Sequence, residues 1–149
     1  MPQAVNADQI KNLLKHIDAS TDESMKRSVF SQLGCECFLC NHLDHWIDDF
    51  KGDVQVFLDS INVQHQSKYW ESLTFSADKT NLILTGKIVD KCACSFAECD
   101  APPLSLCNYC CKSFQQNIFE SLLGKQVDII ITESYLRGDQ RCSTIIQIR

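Results

Sequence analysis

The 149 residues predict an α+β fold: an N-terminal helical layer packed on an antiparallel sheet, with one helix inserted before a C-terminal hairpin. Three observations lead there. Apolar residues recur at helical spacing through the first sixty-five positions, the pattern then turns to β-type runs, and a single helical stripe interrupts those runs.

Asn6 or Asp8 is a suitable cap for a first helix carrying Ile10, Leu13, Leu14 and Ile17. Ser20 with Glu23 reads as a capping box before Met25, Val29, Phe30 and Leu33, with Gly34 as the stop. Asn41 to Phe50 predicts a short helix with Leu43 and Trp46 inward. Asp53 then caps a fourth, where Val54, Phe57, Leu58 and Ile61 form the apolar stripe. Tyr69 to Phe75 and Leu82 to Val89 read as strands across the polar turn Ser76-Ala-Asp-Lys-Thr. Lys91 to Pro103 is a cysteine-bearing loop. Ser105 caps a fifth helix that Gly124 ends. Gln126–Leu136 and Arg141–Arg149 close the chain as strands joined at Arg137-Gly138-Asp139. With no repeat or linker, one domain is predicted over 1–149, the helical layer being 1–65 and the rest 66–149.

A chain of this length can bury a core without cross-links. No apolar run reaches membrane-spanning length, and the first residues do not read as a signal peptide. The formal charge is −5 with no block of Lys or Arg, so neither nucleic acid nor a membrane surface is expected as a partner. A cytoplasmic setting is expected. There thiols stay reduced, and metal binding or thiol chemistry is favoured over a disulfide framework.

Thiols are the distinctive donors here. Ten cysteines include Cys92-x-Cys94-x4-Cys99-x7-Cys107-x2-Cys110-Cys111, an upstream knot of Cys35, Cys37 and Cys40, and Cys142. Cys107, Cys111, Phe114, Ile118 and Leu122 recur at steps of three and four, with Cys110 on the stripe's edge, so the fifth helix begins with core-facing sulfur. Its N-terminal partial charge favours a thiolate. A tight turn at Gly138-Asp139 sets Tyr135 opposite Cys142 and brings Glu133 near that cysteine on an inward face. A one-residue bulge undoes this placement. The buried carboxylate then needs a partner: Arg137 or Arg141, or a metal shared with Cys142 and other cysteines.

A metal site drawn from Cys92, Cys94, Cys99, Cys107, Cys110, Cys111, Cys142 and Glu133 is therefore expected, a subset binding. Zinc is preferred to an iron–sulfur cluster because the spacing fits no common cluster pattern. Cys35, Cys37 and Cys40, with His42 and His45 beyond them, are a second tentative cluster. They read more readily as a helix terminus with buried thiols, and packing against the Cys92–Cys111 segment stays open. Trp46, Trp70, Phe57 and Phe114 read as core, and Asp44, Asp48, Asp49 and Asp53 as a solvated face with helix caps.

The order of Cys92-Ala-Cys94-Ser, Leu106-Cys107-x2-Cys110-Cys111, Phe119-Glu120-x-Leu122-Leu123-Gly124-x2-Val127 and Glu133-Ser134-x-Leu136-Arg137-Gly138-Asp139-x2-Cys142 carries a resemblance. About residues 85–149 resemble the C-terminal part of the bacterial L-2-amino-thiazoline-4-carboxylic acid hydrolase-like family and, more distantly, the 4-vinyl reductase domain. Gly34-Cys35-x-Cys37 is a weaker echo. The second resemblance implies an α+β ligand-sensing module with zinc on one glutamate and three cysteines beside an aromatic-ligand pocket. Cys142 matches the last cysteine, and one of Cys107, Cys110 or Cys111 the helix cysteine. Ser134 stands where another cysteine is expected, and Glu133 is offset.

The preferred function is a small-molecule-binding or sensing module for an apolar or aromatic ligand, which enters between the helical layer and the inward sheet face. The rival is a metal- or thiol-dependent hydrolase of a small ring or amide, with Cys107 and Glu133 as catalytic candidates. A third reading is an iron–sulfur protein. A homodimer stays open.

Overall fold

The computed structural model describes residues 4–50, 52–64 and 70–149. It is α+β, as the residue pattern predicts. Helices α1 (Ala7–Asp18), α2 (Glu23–Cys40), α3 (Leu43–Asp48) and α4 (Val54–Gln64) precede strands β1 (Trp70–Phe75) and β2 (Asn81–Gly86). A π-helical turn, Leu106–Cys111, runs into α5 (Lys112–Leu123), and β3 (Val127–Glu133) and β4 (Ser143–Ile148) follow. The antiparallel sheet has the order β1-β2-β4-β3. No described helix is long and apolar enough to cross a membrane.

Local chemistry sets most boundaries. Asn6 caps α1 through a reciprocal box with Gln9. The Ser20–Glu23 box does not form: Asp22 caps α2 by accepting from Met25 N at 3.0 Å, and Ser20 Oγ accepts from Asp22 N. Asp53 accepts from Val56 N at the head of α4. Gly124, at φ 64°, ends α5 in the left-handed conformation that favours glycine. The predicted strand start at Tyr69 lies outside the described residues.

Gly34 does not stop α2. The helix continues to Cys40, so the upstream cysteines ride its last turns rather than a loop. Gly34 instead permits close contact. A Cβ there would overlap the Cys110 carbonyl oxygen and meet Ser113 Cβ at 2.9 Å and Phe114 N at 3.0 Å.

Two apolar clusters result. The larger lies between the helices and the inner sheet face, where Ile47, Phe57, Leu73, Leu82, Phe119 and Ile146 are fully buried. Trp46, Trp70 and Phe114 pack against it, as core side chains do. This filled layer is where ligand entry was expected. Asn62 of α4 bonds both backbone groups of Leu73, occupying part of the β1 edge. The smaller cluster joins Leu14, Phe30, Leu106 and Cys110, with Ile10, Ile17, Cys94 and Phe96 packed on it. Leu13, predicted inward, is 58% exposed.

Candidate functional site

The π-helical turn re-aims the sulfurs. Ser105 does not cap it through its side chain. Its hydroxyl donates to Asp18 Oδ1 and its N–H bonds the same oxygen at 3.2 Å. A π turn is wider than an α turn, so the inward stripe slips by a residue. Leu106, Cys107 and Cys110 become buried while Cys111 keeps partial exposure, whereas an unbroken α-helix would leave Cys110 on the edge.

β3 and β4 then decide what those sulfurs meet. Val127, Ile129 and Ile131 pair with Ile148, Ile146 and Thr144, the residues predicted to share their face, but two residues away from the register that Tyr135 opposite Cys142 requires. A bulge between Ile131 and Glu133 then shifts the pairing by one, so Glu133 faces Ser143 rather than Thr144, which stands opposite it in the predicted hairpin. Glu133 is also not a buried lone carboxylate. Arg141 Nε lies 3.0 Å from Oε1 and 3.1 Å from Oε2, and both side chains are about one-third exposed. In place of the tight turn, Tyr135–Arg137 forms a short 3-10 turn closed by Gly138 at φ 100°.

This connection forms a strap that holds two thiols on consecutive residues. Ser134 is fully buried, and its hydroxyl accepts from Cys107 Sγ at 2.9 Å. Its N–H donates to Asp139 Oδ2 at 2.8 Å, and its carbonyl accepts from the N–H groups of Arg137 and Asp139. Tyr135 N–H donates to Cys142 Sγ at 3.4 Å, and Tyr135 OH donates to the Asp90 carbonyl at 2.6 Å.

The cysteine loop supplies the opposing wall. Cys92, on that loop, lines a cleft together with Tyr135 and Leu136 of the strap. Above the strap lies an open cleft of about 460 Å³, lined by Cys92, Cys99, Glu98, Pro102, Tyr135 and Leu136 among others. Lys91, also on its wall, lies 3.6 Å from Glu98, and Lys11 of α1 reaches the Glu98 carbonyl.

The upstream knot joins this system in part. Cys35 Sγ sits 3.3 Å from Ser113 Oγ and accepts from Asn117 Nδ2, while Cys37 is half-buried on the last turns of α2. Cys40 is exposed. His42 and His45 are exposed, with ring centroids 6.2 Å apart.

Burial pushes the thiols of Cys37, Cys92, Cys94 and Cys142 up, and those of Cys110 and Cys111 furthest. Neighbouring sulfurs add to the effect. Desolvation therefore outweighs the helix-terminal charge at Cys110 and Cys111, against the expected thiolate. A thiol with a raised folded-state pKa stabilises the fold fully below its ordinary pKa and loses that contribution as pH rises above it. Stability should accordingly fall above about pH 9, and Cys110→Ala should reduce the slope by up to about 1.4 kcal/mol per pH unit in urea titrations. An unchanged slope would place the Cys110 sulfur in water.

Thiols are soft donors that suit a thiophilic ion. Their spacing does not: among the described residues, no three His, Cys, Asp or Glu side chains lie close enough together to hold one. The partner of Cys107 is a hydroxyl, which orients the thiol without accepting its proton as a base would. Sequence reasoning noticed Ser134 only as a departure from a cysteine ligand and missed the cleft wall of Lys91, Glu98 and Asp100. Gly138 next to Asp139, a pair suited to closing a turn, was the available signal for the strap.

No family model matches the chain, and no curated protein matches it. Among solved structures, it is similar to a trafficking protein particle complex subunit 3 from Naegleria fowleri, covalently bound to palmitic acid. The identity is 14% over 98% of this chain and 84% of that one, with a TM-score of 0.41. A likeness at that level carries no argument about this chain.

Proposed function

We propose that the chain is a small-molecule-binding or sensing module whose ligand occupies the cleft above the strap, beside a cysteine-rich centre. The observation that carries this reading is the strap itself. Ser134 and Tyr135 hold Cys107 and Cys142, and Tyr135 also walls the cleft into which Cys92 opens. A ligand lying on Tyr135 and Leu136 would press on the segment that positions both thiols. Ala97, Pro102, Leu136 and the Tyr135 ring favour a small apolar or aromatic molecule. The resemblance of residues 85–149 to a ligand-sensing domain supports the same reading.

Zinc is the cofactor this reading carries on donor chemistry alone, and binding it would require the sulfurs of Cys92, Cys107 and Cys142 to draw together, since no three donors are grouped among the described residues. Metal analysis of protein purified without chelator tests it. Close to one equivalent of zinc, lost in Cys107→Ser, is expected. Neither zinc nor iron near one equivalent would leave a centre of thiols alone.

The cleft is tested with an anilinonaphthalene sulfonate dye. Saturable fluorescence should weaken about tenfold in Tyr135→Ala, since losing a stacking ring costs about 1.4 kcal/mol. Attaching a bulky maleimide to Cys99 should abolish it. Equal binding by wild type, Tyr135→Ala and the Cys99 adduct would remove the cleft from the account.

A further inference from the structure

The charges lining the cleft are unequal, and they select among small apolar ligands. Lys91, Glu98 and Asp100 stand on its wall. Lys91 Nζ lies 3.6 Å from Glu98 Oε1, so that cation already faces a carboxylate. Glu98 is fixed from a second side, because Lys11 of α1 donates to its backbone carbonyl at 3.1 Å. Lys11 itself does not line the cleft. Asp100 is left over. Among the described residues its exposed carboxylate meets no hydrogen-bond or ion-pair partner.

The same wall carries the ring of Tyr135, whose hydroxyl donates to the Asp90 carbonyl at 2.6 Å. That bond anchors the ring before a ligand arrives. The face of an aromatic ring is negative in potential and attracts a cation, as a carboxylate does. Two acids against one ammonium, with a π face and the apolar Ala97, Pro102 and Leu136, make the lining apolar in body and negative in net charge. At about 460 Å³ the space suits one ring with a short side chain.

We propose that the cleft ligand carries a protonated amine, directed at Asp100, on an aromatic body that lies along Tyr135. This rests on the cleft reading above and narrows it to one class of molecule. A ligand with a carboxylate in that place would meet Glu98 and Asp100 as like charges. A neutral one would leave Asp100 facing water as before. Water and salt screen an exposed carboxylate, so the preference for the cation is modest, about fivefold.

The experiment follows alkylation of Cys99, a thiol on the cleft wall, by iodoacetamide at neutral pH, with peptides quantified by mass spectrometry. Exposed Cys40, on α2 and away from the cleft wall, is the internal reference. Three probes of similar shape are compared on the full chain: phenylethylamine, phenylethanol and phenylpropionate. Phenylethylamine should slow Cys99 relative to Cys40 at about one-fifth the concentration that phenylethanol needs, with phenylpropionate weakest. The margin should shrink in about 1 M salt and fall to within about twofold in Asp100→Asn.

Equal protection by amine and alcohol, or strongest protection by the carboxylate, would overturn the proposal and leave the cleft reading standing. A fivefold margin surviving in folded Asp100→Asn would overturn the assignment to Asp100. Protection by none of the three would overturn the proposal, and equal dye binding by the Cys99 adduct would then remove the cleft as well. The order of the three probes on the wild type decides the matter if the variant folds poorly.

Discussion

Gly34→Ala lowers the stability of this protein by about 2–3 kcal/mol, the reverse of what the exchange does on an exposed helix face. In an open helix, alanine replacing glycine gains about 1 kcal/mol. Here the new methyl group overlaps the Cys110 carbonyl and crowds Ser113 and the Phe114 amide. A backbone oxygen in a packed turn cannot swing aside as a long side chain can. The strain of an overfilled core, commonly about 1–3 kcal/mol, then exceeds the propensity gain. Urea unfolding should show a lower midpoint at unchanged slope. A variant more stable than wild type would show that α2 and the π-helical turn do not touch.

Phe57→Ala should cost about 3–5 kcal/mol, because it empties the centre of an aromatic group rather than trimming an edge. Phe57 is fully buried, 5.2 Å from the Trp46 ring and 5.4 Å from Phe50. Its neighbours belong to α3 and the turn before α4, so the loss would be felt across the helical layer. Thermal unfolding should drop on the order of 10 °C for a chain of this size. Dye affinity at the cleft should persist in the folded fraction, since Phe57 does not line it. A melting change within a degree, with dye binding lost, would instead make these rings a ligand cage.

The two changes report on different halves of the molecule. Phe57 anchors the large cluster that holds the sheet against the helices. Gly34 governs the seam between α2 and the thiol-bearing turn, beside the smaller cluster of Leu14, Phe30, Leu106 and Cys110. Unfolding is thus the readout for both, and dye binding at the cleft distinguishes a lost core ring from a lost ligand cage at Phe57.

Much of this was legible from periodicity. The stripe Val54, Phe57, Leu58 and Ile61 specified α4, and alternation along Val127, Ile129 and Ile131 specified the face they share with Thr144, Ile146 and Ile148 of β4, though not the register. Both patterns repeat over several residues, so the burial of many side chains selects one face and penalises the other. Gly34 was misread for a different reason. Glycine marks either a helix end or a close approach, and only the presence of the Cys110 carbonyl distinguishes them. The bulge before Glu133 and the π turn at Leu106–Cys111 were equally hidden, since each adds one residue to a local hydrogen-bonding pattern without altering composition.

The sequence alone therefore determined the fold class, the layer each long apolar stripe would join, and the abundance of sulfur in the second half. Tertiary structure decided what each sulfur faces: Cys107 the Ser134 hydroxyl and Cys142 the Tyr135 amide at the strap, with Cys110 held where Gly34 of α2 rests on its carbonyl. The physical reason is one of scale. Burial energy accumulates along a repeating pattern and can be read from it, whereas a thiol contact depends on single-residue shifts in turns that carry no repeat.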